Sequence, residues 1–312
     1  MPPAVPISLA VLIVAVLLSM LALGAGRGLF GRRDDRGSFG VGCAWSHTLA
    51  DDPILHPNHV AASHLHAFFG NTSTSAWSTR RSLLHASTTC TEPADTAAVW
   101  APIIALGGAY RTPTRERSYY FGPSSETTIE DLPADLRMVG GNAQATSPAE
   151  NPAVTWSCGR GTPDVEHPYT CGPYRGASNA DGLIARVDFP SCWDGERLAP
   201  DTASVHVVYP SARSCPADYP HRIPVVSVRV HTGVWDPCAG LRPCGPDDAT
   251  DDRIGLTLSS GPYYTMHADF WNTWHQRTLD TLVDACVRGH ENCGVLSPAR
   301  TAEIVKGARS PS

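Results

Sequence analysis

Two short motifs contain the residues whose types and spacing could support chemistry. His64 and His66 are two residues apart, and so are His267 and Asp269. Side chains two apart on a β-strand point to the same face, so each motif would present two polar groups together. Paired imidazoles can bind a metal ion or divide acid and base work, and an imidazole beside a carboxylate can act as an oriented base. The structural alternatives are hydrogen-bonded histidines at a sheet surface and a helix that Asp269 caps.

Two further motifs supply an aspartate, a tryptophan and a histidine. Asp194 lies in an Asp-Gly sequence, where it could be a catalytic carboxylate or only cap a turn. Trp193 beside it could stack on a sugar ring or pack against a disulfide. His206 lies in an alternating run, where a polar side chain on the inner face of a strand needs a partner. For these two motifs the structural interpretation is favoured.

The ten cysteines indicate an oxidising compartment. Their number is even, and no Cys-x-x-Cys motif or zinc-finger arrangement with histidines occurs. We predict five disulfides, which are Cys43–Cys90, Cys158–Cys171, Cys192–Cys215, Cys238–Cys244 and Cys286–Cys293.

The N-terminal segment indicates export. Residues 7–25 are uncharged and almost wholly apolar, and at a rise of about 1.5 Å per residue they can just span a bilayer. We interpret residues 1–25 as a signal peptide or a membrane anchor and 26–39 as a tether. Both alternatives place the rest of the chain outside the cytoplasmic membrane, either secreted or anchored there by this segment.

Turn residues and alternating runs predict a β-rich fold. Proline and glycine recur at short intervals, and strand patterns occur at 184–189, 204–209, 225–231 and 253–258. A helix is predicted at 278–288 from its apolar spacing. The fold class is mainly β with a few helices, in a single disulfide-braced β-sandwich or barrel-like domain over 40–300, followed by a C-terminal tail at 301–312. The net charge of −6, without a basic stripe, excludes nucleic acid as a partner, and we expect a monomer.

The motifs together resemble a known family. They occur in one order along the chain: His64-Leu65-His66, Phe69-Gly70-Asn71, Thr89-Cys90, 98–102, 136–142, 189–195, 206–210, Cys215-Pro216, 221–224, 267–270 and Trp274. Over about residues 43 to 293 the chain resembles the secreted domain-of-unknown-function family nineteen-ninety-six of actinomycetes and filamentous fungi. The resemblance implies secretion, a single domain and a shared cleft at these histidines and aspartates. Association of fungal members with cell-wall modules implies a polysaccharide or cell-wall glycan as partner. Members often have an aspartate where this chain has Ala67, so no acid role is carried over there.

Three functions are consistent with these residues. The first is a glycan hydrolase, in which Asp269 or Asp194 is the acid or nucleophile. The second is a metal-dependent version, in which a divalent ion is the cofactor and His64, His66, His206 and His267 are the ligands. The third is a non-catalytic wall-binding or structural protein. The predicted catalytic residues are His64, His66, His206, His267, Asp269 and Asp194, and the predicted substrate-binding residues are Arg137, Trp193, Trp271 and Trp274.

Overall fold

Alternation of buried and exposed side chains along the strands builds a large antiparallel sheet. The strand Arg115–Phe121, for example, alternates strictly between partly buried and buried residues. The computed structural model describes residues 37–122, 128–159, 162–169, 171, 182–201, 205–212, 214–234 and 255–308. Strands make up 36% of the structure and helices 15%, and the main sheet is nearly closed into a barrel. The predicted β-rich, barrel-like fold is therefore confirmed.

The main sheet has ten strands among the described residues. In chain order they are β1 (Ser38–Leu49), β2 (His66–Gly70), β3 (Ala98–Pro102), β6 (Arg115–Phe121), β7 (Arg137–Gly141), β8 (Val154–Ser157), β9 (Ile184–Asp188), β13 (Val225–His231), β16 (His267–Trp271) and β17 (Asn292–Val295). Their order in the sheet is β7-β16-β3-β2-β1-β6-β13-β9-β8, with β17 pairing with β1. Strands that are distant in sequence thus lie side by side.

Two smaller sheets and a few helices complete the described fold. The smaller sheets contain β4 (Ile104–Leu106), β5 (Ala109–Arg111), β14 (Leu256–Leu258) and β15 (Gly261–Pro262) in one, and β10 (Cys192–Trp193), β11 (Val207–Val208) and β12 (His221–Arg222) in the other. The helices are α1 (Arg80–Leu84), α2 (Gln276–Leu282) and α3 (Pro298–Ala308), with a π-helical turn (Val283–Arg288) and 3-10 turns (Pro148–Glu150 and Tyr263–Thr265).

The sequence-predicted elements are found with some changes of length. The strands at 184–189 and 225–231 are confirmed as β9 and β13, and the helix at 278–288 is found as α2 and the π-helical turn. The runs at 204–209 and 253–258 form only the short strands β11 and β14 among the described residues. Regular structure also begins at Ser38 and extends to Ala308, beyond the predicted limits of 40–300, because Phe39 is buried and α3 packs against α2.

Strands β2, β3 and β16 are buried on both faces of the sheet. Residues of one face join the main hydrophobic core, for example Phe69, Val99 and Phe270. Residues of the other face form a second, smaller core. We call it the outer core, and its buried members are Ile54, Phe68, Leu83, Ala98, Trp100 and Trp271. Polar side chains on this second face are therefore held in an apolar setting.

Four disulfides brace the described residues. The predicted pairs that are confirmed are Cys43–Cys90, Cys158–Cys171, Cys192–Cys215 and Cys286–Cys293. The fifth predicted pair, Cys238–Cys244, lies outside the described residues, as does the predicted signal peptide or anchor at 1–25. Within the described part of the chain, no helix has both the length and the apolar composition needed to cross a membrane.

Candidate metal centre

The strand register places the polar residues of β2 and β16 on the face of the outer core. Trp100 of β3 is paired with Phe68 on one side and with Asp269 on the other. Because alternate residues share a face, His66 lies on the same face as Phe68, and His267 lies on the same face as Asp269. The sheet thus brings together two motifs that are about two hundred residues apart in sequence.

Three imidazoles converge at this place. The ring centroids of His64 and His66 are 4.2 Å apart, those of His64 and His267 are 4.9 Å apart, and those of His66 and His267 are 5.9 Å apart. Each ring has one nitrogen atom such that these three nitrogens lie within 4.8 Å of one another. His66 and His267 are buried, whereas His64 is only partly buried. The cluster therefore has one side that is closer to solvent, at His64.

Backbone carbonyls fix two of the rings. Nδ1 of His66 is 3.0 Å from the carbonyl oxygen of Asp51, and Nδ1 of His267 is 2.9 Å from that of Thr265. A carbonyl oxygen only accepts, so each Nδ1 carries the proton and donates it. Nε2 of each ring is then left with a lone pair. Metal-binding histidines are oriented in this way, by donating their other N–H to a carbonyl.

Two buried carboxylates lie beside His66. Oxygens of Asp52 and Asp269 and a nitrogen of His66 lie within 4.8 Å of one another. Asp52 accepts hydrogen bonds from the backbone N–H groups of Ile54 (3.0 Å) and Leu55 (2.9 Å). Asp269 is fully buried, and neither of its oxygens has a hydrogen-bond partner. Asp269 is thus a buried carboxyl group without hydrogen bonds. Burial of its negative charge is unfavourable unless a proton or a cation neutralises it.

Burial sets the protonation of the cluster. It raises the pKa of Asp269 well above its usual value, and the nearby carboxylate of Asp52 adds to this effect. Burial also lowers the pKa of His66 well below its usual value, with help from His64 and His267, and lowers the pKa of His267 to about 4. The imidazoles are consequently neutral at neutral pH, which is the form that binds metal ions.

The donor set fits a divalent transition metal ion. Three imidazole nitrogens with one carboxylate oxygen are ligands that zinc accepts, and copper and manganese accept similar donors. Nε2 of His64 and Nε2 of His66 are buried and lack a hydrogen-bond partner. A cation between these two rings would satisfy both atoms, and Asp269 is close to the same cluster through His66, the residue that the histidine group and the Asp52–Asp269 group share.

Two of the six sequence-predicted catalytic residues lie outside this cluster. His206 is buried, and its Nε2 is 2.8 Å from the carbonyl oxygen of Arg137. Asp194 accepts from the backbone N–H groups of Glu196 and Arg197 and forms an ion pair with the Arg197 guanidinium at 2.7 Å. His206 is thus held through Nε2, while its Nδ1 is buried without a hydrogen-bond partner, and Asp194 caps a turn.

Two of the three tryptophans that were predicted to bind a sugar are buried inside the protein. Trp271 and Trp274 are 1% and 0% exposed, so neither ring can present a face to a ligand. Trp193 is only partly buried, but its Nε1 donates to the carbonyl of Arg197 at 2.6 Å. Arg137 stacks on Trp271, with its guanidinium carbon 3.9 Å from a ring centroid. The roles predicted for Trp271 and Trp274 are corrected accordingly, because both rings pack inside the protein.

Sequence reasoning missed Asp51 and Asp52. The carboxylate of Asp51 accepts from the backbone N–H groups of Ala61 and Ala76, both at 2.8 Å, and its carbonyl orients His66. These contacts fix the loop that carries Asp52. The only signal in the sequence is the pair of adjacent aspartates before Pro53, and this pattern is typical of an ordinary turn.

Comparison with known families agrees with the resemblance seen in the motifs. The model of a domain of unknown function, DUF1996, matches residues 52–274. The chain belongs to this family. The matched region begins at Asp52, so every residue of the candidate centre lies within the DUF1996 domain. No curated protein and no solved structure matches the chain.

Proposed function

We propose that this DUF1996 domain binds one divalent transition metal ion through His64, His66 and His267, with Asp269 as the fourth ligand. The observation that supports this most strongly is the convergence of three neutral imidazoles, two of them oriented by backbone carbonyls. A metal site needs such hydrogen bonds, which orient the ligating rings, in addition to the ligands themselves.

The bound ion supplies Lewis-acid chemistry, which polarises a substrate oxygen or activates water. The part of the site nearest to solvent is at His64, which is only partly buried. Asp52 lies beside the ligands and keeps one carboxylate oxygen without a backbone donor, so it is placed to accept a proton. We therefore propose metal-assisted hydrolysis as the reaction class.

An extracellular glycan is the substrate class that we propose, and the location outside the cytoplasmic membrane belongs to the same proposal. The four disulfides favour an oxidising compartment. A glycosidase mechanism that uses two carboxylates alone has less support, because Asp52 is 3% and Asp269 0% exposed. Two such carboxylates must face the sugar from an open groove.

Metal content tests the proposal. The protein is purified from an oxidising host without chelator, and metal is measured by elemental analysis and by titration with Zn²⁺ or Co²⁺. We expect one equivalent of metal in the wild type and a loss of binding in the variants His66→Ala and His267→Ala. His206→Ala is the matched control, because it removes a buried histidine outside the cluster and should retain the metal. A wild-type protein that binds neither ion would overturn the proposal.

A further inference from the structure

A second group of buried acids lies beside the Cys43–Cys90 disulfide. A carboxylate oxygen of Asp95 lies within 4.8 Å of both sulfur atoms. Glu116 of β6 is paired with Cys43 of β1, so it lies directly across from that cysteine. Asp95 is 2% exposed and Glu116 0%, and one oxygen of Glu116 has no hydrogen-bond partner. This group is separate from the candidate metal centre.

The disulfide joins two residues that face each other across neighbouring extended segments. Cys43 and Cys90 form an isolated antiparallel bridge. The hydrogen bonds on either side run from Ala44 N to Thr89 O at 3.3 Å and from Thr91 N to Gly42 O at 2.8 Å. Cys43 and Cys90 are therefore a non-hydrogen-bonded pair of the ladder, whose pairing does not depend on the sulfur bond.

The two cysteines differ in their access to solvent. Cys43 is buried at 3% exposure in the main core, whereas Cys90 is only partly buried. Cys90 is therefore the cysteine of the pair that lies nearer to solvent, and its sulfur is the one that we assign to attack by an incoming thiol. In thiol–disulfide exchange the attacked sulfur keeps the incoming group, and the other sulfur leaves as a thiolate.

Asp95 is placed to supply the proton that the leaving sulfur requires. Burial raises the pKa of Asp95 to about 8, and the nearby Glu92 adds to this effect, so the carboxyl is largely protonated at neutral pH. Glu116 and Tyr120 lie near Asp95, and the pKa of each is raised by burial and by the Asp95 carboxyl. A thiolate left in this buried acidic site would be unstable without a proton.

We propose that Cys43–Cys90 is an exchangeable disulfide that reacts with a small thiol, with Asp95 as its proton donor. A thiolate attacks Sγ of Cys90 and forms a mixed disulfide there, while the bond between the two cysteines breaks. Sγ of Cys43 takes up the electron pair and the proton of the Asp95 carboxyl, which leaves a Cys43 thiol and an ionised Asp95. The reverse reaction restores the bridge, releases the small thiolate and returns the proton to Asp95.

Exchange with reduced glutathione tests this proposal. The folded protein is incubated with glutathione, quenched with acid, alkylated and mapped by mass spectrometry. We expect glutathione on Cys90 and a free thiol on Cys43. The variant Asp95→Asn should slow this step by about tenfold or more, because the amide cannot donate the proton as an acid. The rate constant per glutathione thiolate should fall above about pH 8 in the wild type, where Asp95 ionises, and not in the variant.

The Cys192–Cys215 disulfide is the internal control. It has the same pattern of one buried and one partly buried cysteine, but its neighbour is the Arg222 guanidinium, 3.4 Å from Sγ of Cys192 and 3.5 Å from Sγ of Cys215. Its exchange should be the same in the wild type and in Asp95→Asn. The proposal is overturned if glutathione is found on Cys43, if Cys43–Cys90 stays closed while Cys192–Cys215 exchanges, or if both bridges slow equally in the variant.

Discussion

Asp269 is the residue whose surroundings are hardest to explain without a cation. Its carboxyl is fully buried, and both oxygens lack a hydrogen-bond partner. In the metal-free protein the raised pKa keeps this group protonated, and a bound ion would displace the proton. The acid is therefore retained at some cost to stability, which is typical of functional residues.

The variant Asp269→Asn separates function from stability. An amide has the size of the protonated acid, so we expect the unfolding temperature of the metal-free protein to change by only a few degrees. The affinity for Zn²⁺ should fall by about tenfold or more, since the anionic ligand is lost. Calorimetric titration and thermal unfolding check both expectations. An unchanged affinity would show that Asp269 is not a ligand.

At the residue scale the sequence predicted His64, His66, His267 and Asp269 because strand periodicity puts residues two apart on one face. It could not predict Asp52, whose position depends on a loop that Asp51 fixes through backbone donors distant in sequence. It also overestimated the access to Trp271 and Trp274, since burial of an aromatic ring is decided by tertiary packing.

At the scale of elements, the fit between β7 and β16 positions His267. Gly141 is paired with His267 and has a φ of +83°, a conformation that favours glycine. A Cβ atom there would lie 2.8 Å from the carbonyl oxygen of Met266 and 3.0 Å from Cα of His267. A side chain at this position would therefore displace the strand that carries two of the proposed ligands.

The variant Gly141→Ala should both destabilise the fold and weaken metal binding. We expect a loss of about 2 kcal/mol or more in the free energy of unfolding, from the backbone conformation and the contact together. Gly107→Ala is the matched control, since Gly107 also has a positive φ of +58° but no atom within 4 Å of the added Cβ. It should cost about 1 kcal/mol and leave Zn²⁺ affinity unchanged. Urea denaturation with metal titration measures both, and equal effects of the two variants would contradict this role for Gly141.

The order of the strands in the sheet could not be predicted from the sequence. The alternating runs predicted individual strands such as β9 and β13, but nothing in them indicates that β3 lies between β2 and β16. That adjacency creates the candidate centre, and it depends on contacts between distant parts of the chain. The cysteine spacing, in contrast, predicted four bridges that the structure confirms.

At the scale of the whole molecule, the buried acids make stability depend on pH. The pKa of Asp95 rises from 3.8 in its usual state to about 8 in the folded protein. The folded state therefore keeps a proton that the unfolded state releases, so this stabilising contribution is complete below about pH 4 and is lost as the pH rises towards about 8.

The free energy of unfolding should consequently decrease between about pH 4 and about pH 8, with Asp95 contributing at most about 1.4 kcal/mol per pH unit. In Asp95→Asn the decrease should be smaller, because the amide stays neutral throughout. Urea denaturation of the metal-free protein across this range checks the difference. Parallel curves for the two proteins would show that Asp95 ionises normally in the fold.

The most direct test of the central claim is a crystal structure of residues 38–312, grown with Zn²⁺ and measured with anomalous scattering at the zinc edge. We predict one anomalous peak about 2.0–2.2 Å from a nitrogen of His64, His66 and His267 and from an oxygen of Asp269. A map without a peak among these side chains, from crystals that contain zinc elsewhere, would contradict the proposal that this is a metal centre.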